Sequence, residues 1–149
     1  MAVFETDGPE ATEALGAQLA ARLVAGDVVH LVGELGTGKT TLVRGACRAL
    51  GVSVPVTSPT FAIAHRYHAA AGTAVSHIDL YRLGSLDAED PDLLADYVGP
   101  DTIAFVEWPR DDAPSIAGGQ RIAARVRLEH AGGDRRLVSV TEAPRARGG

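Results

Sequence analysis

The chain has 149 residues, of which 46% are hydrophobic, and this is the usual size of one domain with its own core. The formal net charge of −5 argues against a protein that binds nucleic acid by itself, because such proteins usually carry a basic face. Apolar runs are short, the N-terminus resembles no signal peptide, and Cys47 is the only cysteine. These features exclude a membrane span and an internal disulfide, and they predict a cytoplasmic protein.

Apolar and polar residues alternate between strand-like and helix-like patterns along the chain. The predicted strands are residues 3–6, 28–32, 61–67, 73–80, 102–107, 121–129 and 137–140. The predicted helices begin near Pro9 and end at Gly26-Asp27, run from Lys39 to Leu50, and form a polar stretch over residues 85–97. Strict alternation over residues 121–129 favours a half-exposed antiparallel strand, whereas the apolar runs 28–32 and 102–107 favour buried parallel strands. We expect one domain over residues 1–142 and a disordered tail over 143–149.

The segment after the strand 28–32 matches the phosphate-loop pattern G-x-x-x-x-G-K-[ST] at every fixed position. An apolar strand enters this loop and a helix leaves it. Its glycines let backbone N–H groups turn toward a phosphate, and the helix start adds a positive dipole end. The lysine, the only one in the chain, is expected to bridge the β- and γ-phosphates, and the threonine hydroxyl to ligate Mg²⁺. The pattern predicts an ATP and Mg²⁺ site at Gly33, Glu34, Leu35, Gly36, Thr37, Gly38, Lys39 and Thr40.

A phosphate loop of this kind needs an acid at the end of a neighbouring strand, to hold the metal or its water. Asp79 and Glu107 both occupy such positions, at the carboxyl ends of predicted strands where ligands bind in open α/β sheets. The residues alone do not separate the two roles, since either carboxylate could ligate Mg²⁺ while the other orients the attacking water. His77, in the strand that leads to Asp79, is expected to be a core histidine.

Other proteins use the same loop, and their further requirements distinguish them. A small-molecule or nucleotide kinase needs an acceptor pocket and an arginine-rich lid, and the only room for one is the short, acidic segment 85–99. A binding module without hydrolysis would not need both Asp79 and Glu107. A GTPase reads guanine through N-K-x-D, and this chain contains no asparagine. An ATPase is therefore the preferred reading, and a small P-loop kinase is the alternative.

The chain resembles the TsaE (YjeE) family, small bacterial ATPases of tRNA threonylcarbamoyladenosine synthesis. The matching stretches, found over about residues 5–142, are Thr12–Gly16, Gly33–Gly45 (GELGTGKTTLVRG), Thr57–Phe61 (TSPTF), His77–Leu83 (HIDLYRL) and Val106–Pro109 (VEWP). The resemblance implies a P-loop NTPase-like three-layer α/β sandwich, with a mixed, mostly parallel sheet and an antiparallel C-terminal hairpin. It also implies weak ATP hydrolysis by the chain alone and action with the TsaB and TsaD proteins, through which alone it would meet tRNA.

The resemblance assigns roles to individual residues. It implies that Thr40 and Glu107 hold Mg²⁺, and that Asp79 is the catalytic carboxylate, acting on water or as a base. Thr60 becomes the switch threonine, although the residues alone favour proline-driven strand entry there. Family-important positions also fall on Thr41 and Trp108, and the adenine is expected near residues 6–12 and the hairpin at 133–135, including Arg135. One departure stands out, because His65 takes the place of the family's usual glutamate after TSPTF.

Overall fold

The computed structural model describes residues 1–34, 36–56, 64–69, 72–79, 98–108 and 121–143, with only the backbone described at Trp108 and Arg121. These residues form two helices and seven strands. In chain order, the elements are β1 (Ala2–Thr6), α1 (Pro9–Ala20), β2 (Asp27–Val32), α2 (Lys39–Ala49), β3 (Ala64–His68), β4 (Ala74–Asp79), β5 (Thr102–Trp108), β6 (Arg121–His130) and β7 (Arg136–Glu142). None of the helices in this part of the chain is long and apolar enough to cross a membrane.

All seven strands belong to one mixed sheet, in the order β1-β7-β6-β2-β5-β4-β3. The centre, β6-β2-β5-β4, is parallel, whereas β7 pairs antiparallel with β6 and β1, and β3 pairs antiparallel with β4. The predicted mixed α/β fold with a C-terminal hairpin is confirmed. The antiparallel strand predicted over residues 121–129 does pair antiparallel with β7, and it also pairs parallel with β2, which the prediction did not include. Alternation reports which face of a strand is buried and not the direction of its neighbours.

Helix α1 is shorter than predicted. It ends at Ala20, and the next residues form turns, with Arg22 N donating to Leu19 O over 3.0 Å. The Asp27 carboxylate then accepts from Val24 N over 2.9 Å, so polar contacts lead the chain directly into β2. The predicted helix was too long because Leu23, which follows the helix, continues the apolar stripe and packs against the core. The start predicted for β3, the helix predicted over 85–97 and the end of the tail lie outside the described residues.

Alternate residues of the central strands face the two helices, and α1 and α2 pack closely against each other. Val29 and Leu31 of β2 belong to the core cluster shared with both helices. A side-chain carbon on Gly16 of α1 would overlap the backbone carbonyl of Leu42, and one on Gly45 of α2 would overlap the backbone of Glu13. Glycine at both positions therefore lets the helix backbones meet. This contact fixes the start of α2, which follows the phosphate loop, relative to the start of α1.

Candidate functional site

The loop between β2 and α2 has the conformation that its glycines permit. Gly36 and Gly38 have φ angles of +81° and +100°, a backbone conformation that residues other than glycine rarely adopt. A Cβ on Gly33 would lie 2.6 Å from the carbonyl oxygen of Leu128 in β6, which is too close for any real side chain. The two fixed glycines of the pattern, Gly33 and Gly38, together with Gly36, thus hold the loop tightly over the end of the sheet.

Lys39, the first residue of α2, folds back across this loop. Its Nζ donates to the carbonyl oxygens of Gly33 and Glu34 over 2.6 and 3.0 Å, and the Thr37 hydroxyl also donates to Glu34 O, over 2.7 Å. Only 5% of Lys39 is exposed. Burial lowers the pKa of Lys39, and the carboxylates of Glu107 and Asp79 act in the opposite direction. The loop thus holds an almost buried cationic side chain close to two acids.

The two acids predicted from the sequence lie side by side. Asp79 and Glu107 are register partners at the carboxyl ends of the parallel strands β4 and β5. Both are buried, with 9% and 4% exposed. The Thr40 hydroxyl of α2 donates to Oε2 of Glu107 over 3.1 Å, and Nε2 of His77 contacts the same oxygen. Glu107 is therefore connected both to the phosphate-loop helix and to the strand that carries Asp79.

These groups open onto one cavity of about 270 Å³, near the lower end of the range for ligand pockets. The phosphate loop, the start of α1, the ends of β4 and β5 and the β6–β7 turn surround it. The described residues that line the cavity are Gly8, Pro9, Thr12, Gly36, Gly38, Lys39, Thr40, Thr41, Asp79, Glu107, Asp134 and Arg136. Segments far apart in the sequence thus converge on one cavity. Where the cavity meets the sheet, Lys39 contributes a cation and Asp79 and Glu107 contribute carboxylates.

Most of the predicted site residues that the structure describes lie in or directly beneath this cavity. Lys39, Thr40, Thr41, Asp79 and Glu107 line it together with Gly36 and Gly38, while Gly33, Glu34 and Thr37 contribute through the hydrogen bonds described above. Leu35, Thr60 and the side chain of Trp108 lie outside the described residues.

The sequence predicts Arg135 for the nucleotide site, and the residue after it is also an arginine. Arg135 is not among the described residues that line the cavity, and its Nη1 lies 3.7 Å from the carboxylate of Glu5. Its neighbour Arg136 lines the cavity and donates to the carbonyl oxygens of Gly36 and Gly133 over 3.3 and 2.8 Å. The sequence pair Arg135-Arg136 does not say which member faces the site, because that depends on where β7 begins.

The oxygen donors present fit a magnesium ion. Mg²⁺ prefers oxygen ligands and is usually held by one or two carboxylates together with phosphate oxygens and water. Thr40 and Glu107 lie within hydrogen-bond distance of each other, and Asp79 lies beside them. In the described part of the chain, no group of three or more histidine, cysteine, aspartate or glutamate residues could hold a metal ion alone. Thr40, Asp79 and Glu107 thus supply oxygen atoms of the kind that Mg²⁺ prefers.

Comparison with known proteins gives a consistent result. The family model described as "Threonylcarbamoyl adenosine biosynthesis protein TsaE" matches residues 6–138. The chain is 46% identical over 123 residues to the tRNA threonylcarbamoyladenosine biosynthesis protein TsaE of Streptomyces coelicolor, covering 80% of each chain. It is 38% identical over 130 residues to the TsaE protein of Mycobacterium bovis, covering 81% of this chain and 70% of that one. Among solved structures, it is similar to YdiB of Bacillus subtilis, with a TM-score of 0.68 and 30% identity, covering 95% of this chain and 84% of that one.

Proposed function

The chain belongs to the TsaE family, which acts in tRNA threonylcarbamoyladenosine biosynthesis, and on this premise we propose that it is the Mg²⁺-dependent ATPase subunit of that pathway. One observation carries the proposal. Lys39, Thr40, Asp79 and Glu107 line a single cavity at the start of α2, although they come from three separate parts of the sequence. ATP hydrolysis requires a cation that binds phosphate, a hydroxyl and a carboxylate that hold a metal ion, and a second carboxylate that acts on water.

The phosphate loop binds the triphosphate in this proposal. The Lys39 ammonium exchanges its bonds to the carbonyl oxygens of Gly33 and Glu34 for bonds to the β- and γ-phosphates, which are stronger because both partners are charged. The N-terminal end of α2 adds a positive dipole where the phosphates bind. Arg136, bonded to Gly36 O, joins the β6–β7 turn to the loop. The adenine of ATP is assigned to the part of the cavity lined by Gly8, Thr12 and Asp134.

Thr40 and Glu107 would hold the magnesium ion, which neutralises charge on the phosphates when bound. Since the Thr40 hydroxyl donates its hydrogen to Glu107, its oxygen lone pairs remain available to a cation. Asp79, next to Glu107 in the sheet, orients the attacking water or takes its proton. By the family resemblance, Thr60 is assigned the role of switch threonine, and Trp108, next to Glu107 in the chain, is assigned to the nucleotide site. Hydrolysis by the chain alone is expected to be weak.

The partners in this proposal are the TsaB and TsaD proteins. With a net charge of −5, the chain lacks the excess of basic residues usual in proteins that bind nucleic acid alone. Contact with tRNA is therefore assigned mainly to the partners, and ATP hydrolysis by this chain supports their turnover.

The test combines binding and turnover. Calorimetry with ATP, with Mg²⁺ or with EDTA, measures the metal-dependent affinity, and phosphate release is measured with and without TsaB and TsaD from the same organism. We expect Mg²⁺-dependent ATP binding, slow hydrolysis by the chain alone, and formation of threonylcarbamoyladenosine in tRNA only when all components are present. Phosphorylation of an added nucleoside or nucleotide would instead support the kinase, and complete absence of phosphate release with the partners present would contradict the ATPase.

The roles of the two acids are tested separately. Glu107→Gln is expected to lose the Mg²⁺ dependence of ATP affinity, because the neutral amide is a poor ligand for the cation. Asp79→Asn is expected to retain most of that dependence and to lose turnover, by about 100-fold or more, as removal of a general base does. Equal loss of metal dependence in both variants would overturn this division of roles.

A further inference from the structure

His77 is the buried side chain next to the site that the proposed mechanism does not yet use. It lies in β4, two residues before Asp79. Because every second residue of a strand faces the same side of the sheet, His77 and Asp79 share a face. No part of His77 is exposed. Its Nε2 contacts Oε2 of Glu107 in the neighbouring strand β5. The contact therefore joins a fully buried imidazole to a carboxylate that lines the cavity.

The direction of this hydrogen bond follows from the chemistry of the two groups. An ionised carboxylate only accepts, so the hydrogen is carried by Nε2 of His77. The Thr40 hydroxyl donates to the same oxygen. Within the described residues, Nδ1 of His77 has no hydrogen-bond partner. The hydrogen bond that the imidazole makes among the described residues is thus the one to Glu107.

Two donors on one oxygen restrict the rotation of the Glu107 carboxylate. Without them, a glutamate side chain turns about three bonds, and part of the binding free energy of a cation is lost in ordering it. With Oε2 accepting from Thr40 and His77, Oε1 is the carboxylate oxygen that these two hydrogen bonds leave for a further ligand. Groups that orient a metal ligand in this way commonly change metal affinity by about 10- to 100-fold when they are removed.

The other buried histidine shows that burial alone does not produce this contact. His30, in the central strand β2, which pairs with the other side of β5, is also fully buried, but neither of its ring nitrogens has a hydrogen-bond partner among the described residues. Its neighbours in the chain, Val29 and Leu31, face the helices, so His30 faces the opposite side of the sheet. His30 provides a matched control, because it is a second buried histidine that lies on the opposite face of the sheet from Glu107, whose register partner is Leu31.

We propose that His77 is a positioning residue that sets the orientation of Glu107 for the divalent cation bound with the nucleotide. This inference rests on the proposed Mg²⁺-dependent nucleotide binding and adds a residue to it. His77 does not contact the nucleotide in this scheme. It acts through Glu107, so its removal changes the response to Mg²⁺ and not the metal-free affinity for the nucleotide.

The test measures the Mg²⁺ concentration for half-maximal binding of a fluorescent ATP analogue. His77→Leu is expected to raise this concentration by about 10-fold or more. His77→Gln, whose amide nitrogen can donate from nearly the same position, is expected to stay within about threefold of wild type. His30→Leu, the matched control, is expected to leave it unchanged. Affinity in EDTA and the thermal unfolding midpoint are measured for each variant.

Each outcome has a defined meaning. A wild-type Mg²⁺ response in folded His77→Leu would overturn the inference, as would equal losses of nucleotide affinity with Mg²⁺ and with EDTA. If His77→Leu does not fold, ¹⁵N NMR of the wild-type His77 ring decides, because the inference requires the hydrogen on Nε2, and a hydrogen on Nδ1 alone would overturn it. If wild type itself shows no Mg²⁺-dependent nucleotide binding, the proposed function fails, which is a different result from an unaltered His77 variant.

Discussion

The buried His30 is expected to make the free energy of unfolding of this protein depend on pH between about 4 and 6.5. Burial, reinforced by the charge of Arg125 opposite it in β6, lowers the pKa of His30 from 6.5 to about 4. The unfolded chain therefore binds a proton at a pH at which the folded chain does not. By linkage, the contribution of His30 is fully favourable above pH 6.5 and is lost as the pH falls from about 6.5 to about 4.

The size of the effect follows from the same shift. One pKa unit corresponds to about 1.4 kcal/mol, so protonation of His30 in the unfolded state costs the native state about 2 kcal/mol at pH 5 and about 3 kcal/mol at pH 4. Replacing His30 with leucine removes this proton uptake and also removes two buried ring nitrogens that have no partner among the described residues. His30→Leu is therefore expected to equal or exceed wild type in stability at pH 8, and to gain a further 2 kcal/mol or so relative to it at pH 5.

The assay is urea unfolding followed by circular dichroism at pH 8, 6, 5 and 4. The matched control is His130→Gln, which removes an exposed histidine at the end of β6 and so separates the loss of the buried His30 from the loss of a histidine in general. Parallel stability curves for wild type and His30→Leu from pH 8 to pH 4 would refute the reasoning, because they would mean that His30 titrates alike in the folded and unfolded chains.

Two further predictions concern the turn at the cavity and the helix crossing. Arg136→Leu is expected to weaken nucleotide binding by about 3- to 10-fold, because a hydrogen bond from a charged group to Gly36 O is lost, whereas Arg135→Leu, at the surface, is expected to have little effect. Equal effects in a fluorescence binding assay would contradict the placement of Arg136. Gly45→Ala is expected to destabilise the fold by about 2–3 kcal/mol in urea unfolding despite the higher helix propensity of alanine, because the methyl group would overlap Glu13. Gly99→Ala, with open space around it, is the control, and a similar small effect in both would exclude a tight helix contact.

Much of the fold could be predicted because the central strands are strongly apolar and the phosphate loop has a fixed pattern. Residues 28–32 and 102–107 were predicted as buried strands and lie at the sheet centre in β2 and β5. The direction of the β6 pairing with β2 could not be predicted, because side-chain alternation is the same beside parallel and antiparallel neighbours. The end of α1 was missed because Leu23 continues the apolar stripe beyond the last helical residue.

Site residues could be predicted where the residue type and its place in a motif or at a strand end indicate a role. Contacts that depend on the register between neighbouring strands could not be predicted in this way. Asp79 and Glu107 could be identified from strand ends, but their pairing required the order of the strands. His77 was predicted to be a core residue, and it is buried, yet its contact with Glu107 depends on the neighbouring strand. The two-residue spacing between His77 and Asp79 was the available signal, since it places both on one face.

The central claim is that Lys39 and its loop bind Mg-ATP, and calorimetry on wild type and Lys39→Ala tests it most directly. Loss of charged hydrogen bonds to two phosphates is worth about 3 kcal/mol or more, which corresponds to an affinity at least about 100-fold lower. The predicted result is therefore a clear Mg²⁺-dependent isotherm for wild type and no measurable binding at the same concentrations for Lys39→Ala. The same dissociation constant for ATP in both proteins would contradict the account.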